Sequence, residues 1–180
     1  MKQDKGIILA GGYGSRLYPL TLGTSKQLLP VYDTPMIYYP ISVFLNAGIT
    51  NILVITTQED TLKFQKLLGN GDNIGVNISY KAQKKPNGIA ESFVLAEEFI
   101  GNDNICLILG DNIFHGQNLI DKLTMGLKNL DDGYSTIFAK KVKYPQNYGV
   151  INFDKLGNVI SITEKPKNPN AELGILGFET

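Results

Sequence analysis

The chain has 180 residues, 43% hydrophobic and 19% charged, which is enough for one domain with a sizeable core. Lys+Arg and Asp+Glu both number 17, so no global field recruits nucleic acid or an anionic membrane surface. One cysteine, Cys106, excludes an internal disulfide, and with His115 as the only histidine a Cys/His zinc site is excluded too. A Ser-His-Asp triad would have to use His115. Lys2, Asp4 and Lys5 break up the start, and no apolar run approaches the ~18 residues of a membrane span. The expected location is therefore cytoplasmic. Lys84-Lys85 and Lys140-Lys141 with Lys143 read as solvated surface.

Gly6 to Ala10 is an apolar run that predicts a short buried strand. It leads into Gly11, Gly12, Tyr13 and Gly14, then Ser15 and Arg16. A backbone without Cβ atoms can turn through positive φ and bring successive amides to one concavity, an anion nest. Arg16 adds a planar, permanently charged donor that grips phosphate through two nitrogens. A Walker A loop would need a closing Gly-Lys-Ser/Thr, which is absent. A dinucleotide fingerprint would need a third glycine where Leu17 stands, although Asp33 lies near the place of a ribose-binding acid.

Tyr18 to Tyr32, with Pro19, Pro30 and a Thr24-Ser25-Lys26-Gln27 cluster, reads as an ordered loop. Pro35 opens an expected helix that Gly48 stops, with Pro40 as a weak point. Asn51 to Thr56 is a second buried strand, and Leu62, Phe64, Leu67 and Leu68 lie at helical spacing. Val76 to Tyr80 is a third strand, delivering Gln83 and the loop to Gly88. Ile89 to Ile100 is a helix, and Ile105 to Leu109 is a fourth strand, with Cys106 buried in it. It ends in Gly110-Asp111-Asn112. Leu119 to Leu130 is helical and Tyr134 to Ala139 extended. Tyr148 to Phe153 and Val159 to Ile162 predict a hairpin turning at Asp154 to Gly157.

Alternation of strand and helix to about residue 139 implies an α/β fold, a mixed and mostly parallel sheet with helices on both faces. Ligands of such sheets bind outside the carboxyl ends of the strands. Three ends carry distinctive residues: the glycine loop, Gln83 to Gly88, and Asp111. Asp111 emerges from a buried strand, and its carboxylate suits either a turn or a Mg²⁺ held jointly with substrate phosphates. Lys26 is a surface charge or a point charge for phosphate. Gln83 can donate and accept, as reading a base edge requires, or can simply face solvent.

Leu9-Ala10-Gly11-Gly12-x-Gly14-Ser15-Arg16-Leu17 and Ser25-Lys26-Gln27-Leu28-Leu29-Pro30 closely resemble the signature of the sugar-1-phosphate nucleotidyltransferases. Tyr32-Asp33-x-Pro35-Met36-Ile37-Tyr38-Tyr39-Pro40, Leu109-Gly110-Asp111-Asn112-Ile113-Phe114 and Tyr148-Gly149-Val150 are similar to the thymidylyl-transferring branch. The likeness runs from about Lys5 to Gly177. It implies one Rossmann-like nucleotidyltransferase domain over 1–180, and the reaction of dTTP with glucose 1-phosphate to give dTDP-glucose and pyrophosphate. UTP-using transfer and a non-catalytic nucleotide-sugar binding fragment are the alternatives. The resemblance further implies that Arg16, Lys26 and Asp111 are catalytic, with Asp111 on Mg²⁺. Leu9, Gly11, Gly12, Gly14, Ser15, Arg16, Gln27, Gln83, Pro86, Gly88 and Ile89 would hold the nucleotide. Asn112, Tyr148, Gly149, Glu164, Lys165 and Ile175 would hold the sugar phosphate. Members are usually homo-oligomers. A second metal-binding aspartate lies beyond residue 180 in the family, so the domain is expected to be incomplete at its carboxyl end and weak in turnover.

Overall fold

The computed structural model describes residues 2–12, 14–85, 88–167 and 173–175, the last three by backbone alone. The chain divides into two compact units, Met1–Tyr134 and Ser135–Thr180.

The first unit is built on β1 (Asp4–Ala10). Its neighbours are β2 (Pro30–Val31), β3 (Thr34–Pro35), α1 (Tyr38–Asn46), β4 (Asn51–Thr57), α2 (Thr61–Leu68), β5 (Asn77–Gln83), α3 (Ile89–Leu95), α4 (Glu97–Ile100), β6 (Asn104–Leu109) and α5 (Leu119–Asp131). The main sheet runs β5-β4-β1-β6, and every pair is parallel. β1 and β4 are apolar without alternation because both faces are covered. On one face Ile7, Leu53 and Ile55 meet Ala96, with Leu95, Phe99 and Ile100 of α3 and α4 around them. On the other, Gly6 lies under the ring of Phe44 from α1.

Several expectations shift for local reasons. Residues 34–35 pair with 30–31 instead of opening a helix, so α1 begins at Tyr38. Pro40 is buried in its first turn, where a missing N–H costs no ladder bond. The expected helix over 89–100 is split at Ala96, with φ −91° and ψ 1°. In its first half Ser92 Oγ donates to the Ile89 carbonyl at 2.5 Å, a local bond that competes with the ladder. β5 continues past Tyr80 to Gln83 because Lys81, Ala82 and Gln83 find partners in Ile55, Thr56 and Thr57. Cys106 is half-buried rather than buried, since β6 has a partner on one side only among the described residues. No helix among the described residues is long and apolar enough to cross a membrane.

The second unit is an antiparallel sheet of β7 (Ala139–Lys141), β8 (Gly149–Phe153), β9 (Val159–Glu164) and β10 (Leu173–Ile175), in the order β7-β10-β8-β9. β7 meets the expected strand over 134–139 only at Ala139. The Tyr134 N–H is spent on the Asn129 carbonyl at 2.8 Å, closing α5. The β8–β9 hairpin forms as expected. Asn158 Nδ2 donates to Asp154 Oδ2 at 2.9 Å, and Asp154 Oδ1 accepts the N–H groups of Asn158 and Leu156, both at 2.8 Å; these bonds, the Asn158 side chain's first, hold its carboxyl below the usual carboxylate range.

Candidate functional site

The glycine loop leaves β1 where Ala10 is fully buried, and each glycine does a different job. A Cβ on Gly11 would come within 2.7 Å of Gln83 Oε1. One on Gly12 would meet no atom within 4 Å, so here the backbone itself is presented outward. Gly14 has φ +61°, and its Cβ would lie 2.8 Å from the Thr21 methyl and 3.0 Å from Lys26 Cβ. The left-handed turn and the close approach both demand glycine there. The Gly14 carbonyl accepts from the Leu17 N–H at 2.9 Å and from Thr21 Oγ1 at 3.1 Å, which starts a single 3-10 turn over Ser15–Leu17. Ser15 and Arg16 stand exposed on that turn. Leu9 gives its side chain to the core under the sheet, and its carbonyl accepts from the Gly110 N–H at 2.8 Å. Asp33 is instead a turn residue of the β2–β3 ribbon, accepting from Thr34 Oγ1 at 2.9 Å, which removes the dinucleotide reading.

Lys26 and Asp111, 85 positions apart, form an ion pair of 2.8 Å, with side chains 24% and 19% exposed. Both charges are thus partly shielded from water at the carboxyl end of β6, beside the turn that Gly14 makes. Gly110 makes this possible. A Cβ there would press on Gln27 Cγ at 3.0 Å, Ala10 Cβ at 3.2 Å and the Leu9 carbonyl at 3.3 Å. Gln27 is buried, and its Oε1 accepts from Ser25 Oγ at 2.5 Å. Asn112 follows with its N–H on the Leu109 carbonyl at 3.0 Å.

At the end of β5, Gln83 is 3% exposed, with Nε2 donating to Glu91 Oε2 on α3. Gly88 caps α3 and Ile89 is buried in its first turn, while Pro86 lies outside the described residues. A cavity of about 190 Å³ is walled by Gly12, Gln83 and Lys84, by Thr21 to Ser25, and by Thr57 to Asp60 with Lys63. Lys63 Nζ ties this wall together, donating to the Gly23 carbonyl at 2.9 Å and to Asp60 Oδ1 at 2.7 Å. Glu91, Gly110, Thr21 and Lys63 were not among the sequence candidates. Only Gly110, between an apolar strand and an aspartate, carried a local signal.

Within the second unit, the β8–β9 hairpin gathers four sequence candidates at one end. Gly149 pairs with Glu164, and the Lys165 N–H donates to the Tyr148 carbonyl at 3.0 Å. Lys165 Nζ and Glu164 Oε1 are 3.3 Å apart. Ile175 is one residue past the Gly174–Val150 pair, on the adjoining strand β10.

No cluster of three or more His, Cys, Asp or Glu side chains placed to hold a metal occurs among the described residues. Asp111 is a single hard oxygen donor beside a phosphate-type loop. That set suits Mg²⁺, which keeps its waters and binds through one or two carboxylates plus phosphate oxygens. The Cys106 thiol is pushed up to about 11, first by burial and then by the Asp4 charge, and so is neutral at physiological pH.

Residues 5–179 match the family model described as "Nucleotidyl transferase". A Neisseria meningitidis glucose-1-phosphate thymidylyltransferase is 53% identical over 174 residues, 97% of this chain and 60% of the relative. Among solved structures, a candidate glucose-1-phosphate thymidylyltransferase of Bacillus anthracis, in complex with sucrose, superposes with TM-score 0.84 at 39% identity. That match covers 97% of this chain and 69% of the other. A UDP-glucose pyrophosphorylase complexed with UDP-glucose superposes with TM-score 0.77 at 25% identity, covering 98% and 74%. The chain spans about 60% of the length of the curated relatives it matches.

Proposed function

The chain belongs to the nucleotidyl transferase family, and from that membership we propose that it transfers a thymidylyl group from dTTP to glucose 1-phosphate, releasing pyrophosphate. The observation that carries the reading is the joint presence of the glycine loop and the Lys26–Asp111 pair at neighbouring strand ends of one parallel sheet. In our reading both units serve one nucleotidyltransferase domain over 1–180.

In this mechanism the phosphate oxygen of the sugar attacks the α-phosphorus in line. One P–O bond forms, the bond to the β-phosphate bridge breaks, and pyrophosphate leaves with the electron pair. Little covalent help is needed, so positioning and charge neutralisation do the catalysis. The amides of Gly11, Gly12, Gly14 and Ser15 receive the triphosphate, and Arg16 neutralises the departing pyrophosphate. Lys26, already held at its place by Asp111, offsets the charge on the α-phosphate. Asp111 would hold Mg²⁺, which supplies further neutralisation of phosphate charge when bound. Leu9, Gln27, Gln83, Pro86, Gly88 and Ile89 are assigned to the base and its sugar. Asn112, Tyr148, Gly149, Glu164, Lys165 and Ile175 are assigned to the sugar phosphate.

The test is pyrophosphate release from dTTP plus glucose 1-phosphate with Mg²⁺, beside Lys26→Ala and Asp111→Ala. Removing one electrostatic group should lower the rate by about 10²–10³. Release that does not require the sugar phosphate, or that survives both substitutions, refutes the reading. The likeness to a UDP-glucose pyrophosphorylase favours UTP as a second substrate. UTP lacks the methyl group of thymine, worth roughly 10–200-fold, and carries a 2′-hydroxyl that dTTP does not, so it should react more slowly rather than not at all.

A further inference from the structure

The Gln83 side chain is buried, held by Glu91 at one end and lying close to Gly11 at the other. Its Nε2 donates to Glu91, and its Oε1 is the atom that a Cβ on Gly11 would strike at 2.7 Å. An ionised carboxylate can only accept, so the amide edge that faces Glu91 has to be the NH₂ edge. Glu91 sits in the first turn of α3. Turning the Gln83 amide over would set its carbonyl oxygen against that carboxylate, two acceptors in a partly buried place. Thus Glu91 decides which end of the amide is shown at the glycine loop, and the end shown is the acceptor.

We infer that Glu91 is a positioning residue that sets base specificity: by holding the Gln83 NH₂ group it presents the Gln83 carbonyl oxygen to the base. The inference rests on the reading that Gln83 meets the base. An acceptor at this place selects a base edge that offers a ring N–H, as the imide of thymine or uracil does. Cytosine presents a ring nitrogen lone pair there, and two acceptors would face one another without water. The mechanism above leaves Glu91 without a role, although it is the partner that fixes Gln83.

The test is nucleotide affinity, measured by calorimetry on this chain with dTTP and with dCTP, so that it does not depend on turnover. The wild-type chain should prefer dTTP by roughly 10–100-fold, the worth of one hydrogen bond exchanged for one buried clash. Glu91→Gln should keep most of that preference, because its carbonyl still accepts from Gln83. Glu91→Ala should bring the two affinities within about threefold, since either amide orientation is then open. Glu91→Lys, whose ammonium only donates, should turn the amide over and favour dCTP. A merely structural role would weaken both nucleotides alike and leave their ratio unchanged. Should Glu91→Lys lower the melting temperature sharply, the contrast between Glu91→Gln and Glu91→Ala decides the matter. A ratio unmoved by Glu91→Ala but abolished by Gln83→Ala overturns the inference while sparing the base site. A ratio that survives Gln83→Ala, or a wild-type chain without preference, removes the base-site reading and the inference with it.

Discussion

Substituting Gly6 by alanine puts a methyl group where the structure has no room. Gly6 lies within β1, paired with Ile52 on one side and Cys106 on the other. Its Cβ would fall 2.5, 2.6 and 3.1 Å from three ring carbons of Phe44, whereas unstrained carbons stay about 3.5–4.0 Å apart. The ring would have to retreat by about 1 Å. It cannot do so alone, because Phe44 is itself fully buried. α1 would have to lift from the sheet. Overpacking of this kind costs roughly 1–3 kcal/mol, and the entropic gain of Gly→Ala returns about 0.5–1 of it. We expect a net loss of about 1–1.5 kcal/mol, read as a lower urea midpoint with an unchanged slope, or as a fall in Tm of roughly 2–6 °C. Phe44→Leu trims the ring and should relieve Gly6→Ala, so the double variant should be more stable than the sum of the singles by about 1–2 kcal/mol. A single variant within about 0.5 kcal/mol of wild type, or strictly additive costs, would refute this packing account.

The last two glycines of the loop should separate fold from function. Gly12→Ala meets no atom and should leave Tm unchanged while weakening dTTP binding tenfold or more by calorimetry, whereas Gly14→Ala should lower both, since its φ of +61° costs ~1–2 kcal/mol for alanine. Cys106, with its thiol pushed up to about 11, should react with a disulfide reagent at pH 8 roughly 100-fold more slowly than an ordinary thiol; equal rates would show that the folded chain does not shield it. Asp103 is held below its usual range, first by the Gln3 N–H and then by Lys5, at 3.0 and 2.7 Å. A lowered carboxyl favours the fold above its unfolded value and loses that contribution as pH falls through the folded one. Stability should therefore decline on acidification below about pH 4, and Asp103→Asn should flatten that decline in urea titrations.

The strands β1, β4 and β6 were legible within two residues because strands covered on both faces are written as uninterrupted apolar runs. The end of β5 was not, since Lys81 and Gln83 are recruited by pairing with β4 and not by any pattern of their own. Pro40 misled because its effect depends on whether it falls in the first turn of the helix or later, and the ribbon over residues 30–35 decides that. The glycine loop and Asp111 could be found from composition at strand ends. Their coupling could not, for the Lys26–Asp111 pair spans 85 positions and exists only because β6 lies beside β1. Glu91 was invisible for the same reason: an acidic residue early in a helix is ordinary until an amide is seen against it.

The sheet also acts as a ruler. β1 and β5 flank β4, so Gly11 and Gln83 leave the sheet two strand spacings apart, roughly 9–10 Å. The long glutamine side chain bridges that interval over the end of β4, where an asparagine would fall short of the glycine loop. The separation of Gly11 from the Gln83 backbone is thus set by the repeat of the backbone ladder. Which chemical groups line the gap is open to change one side chain at a time. How wide it is can change only in whole strands.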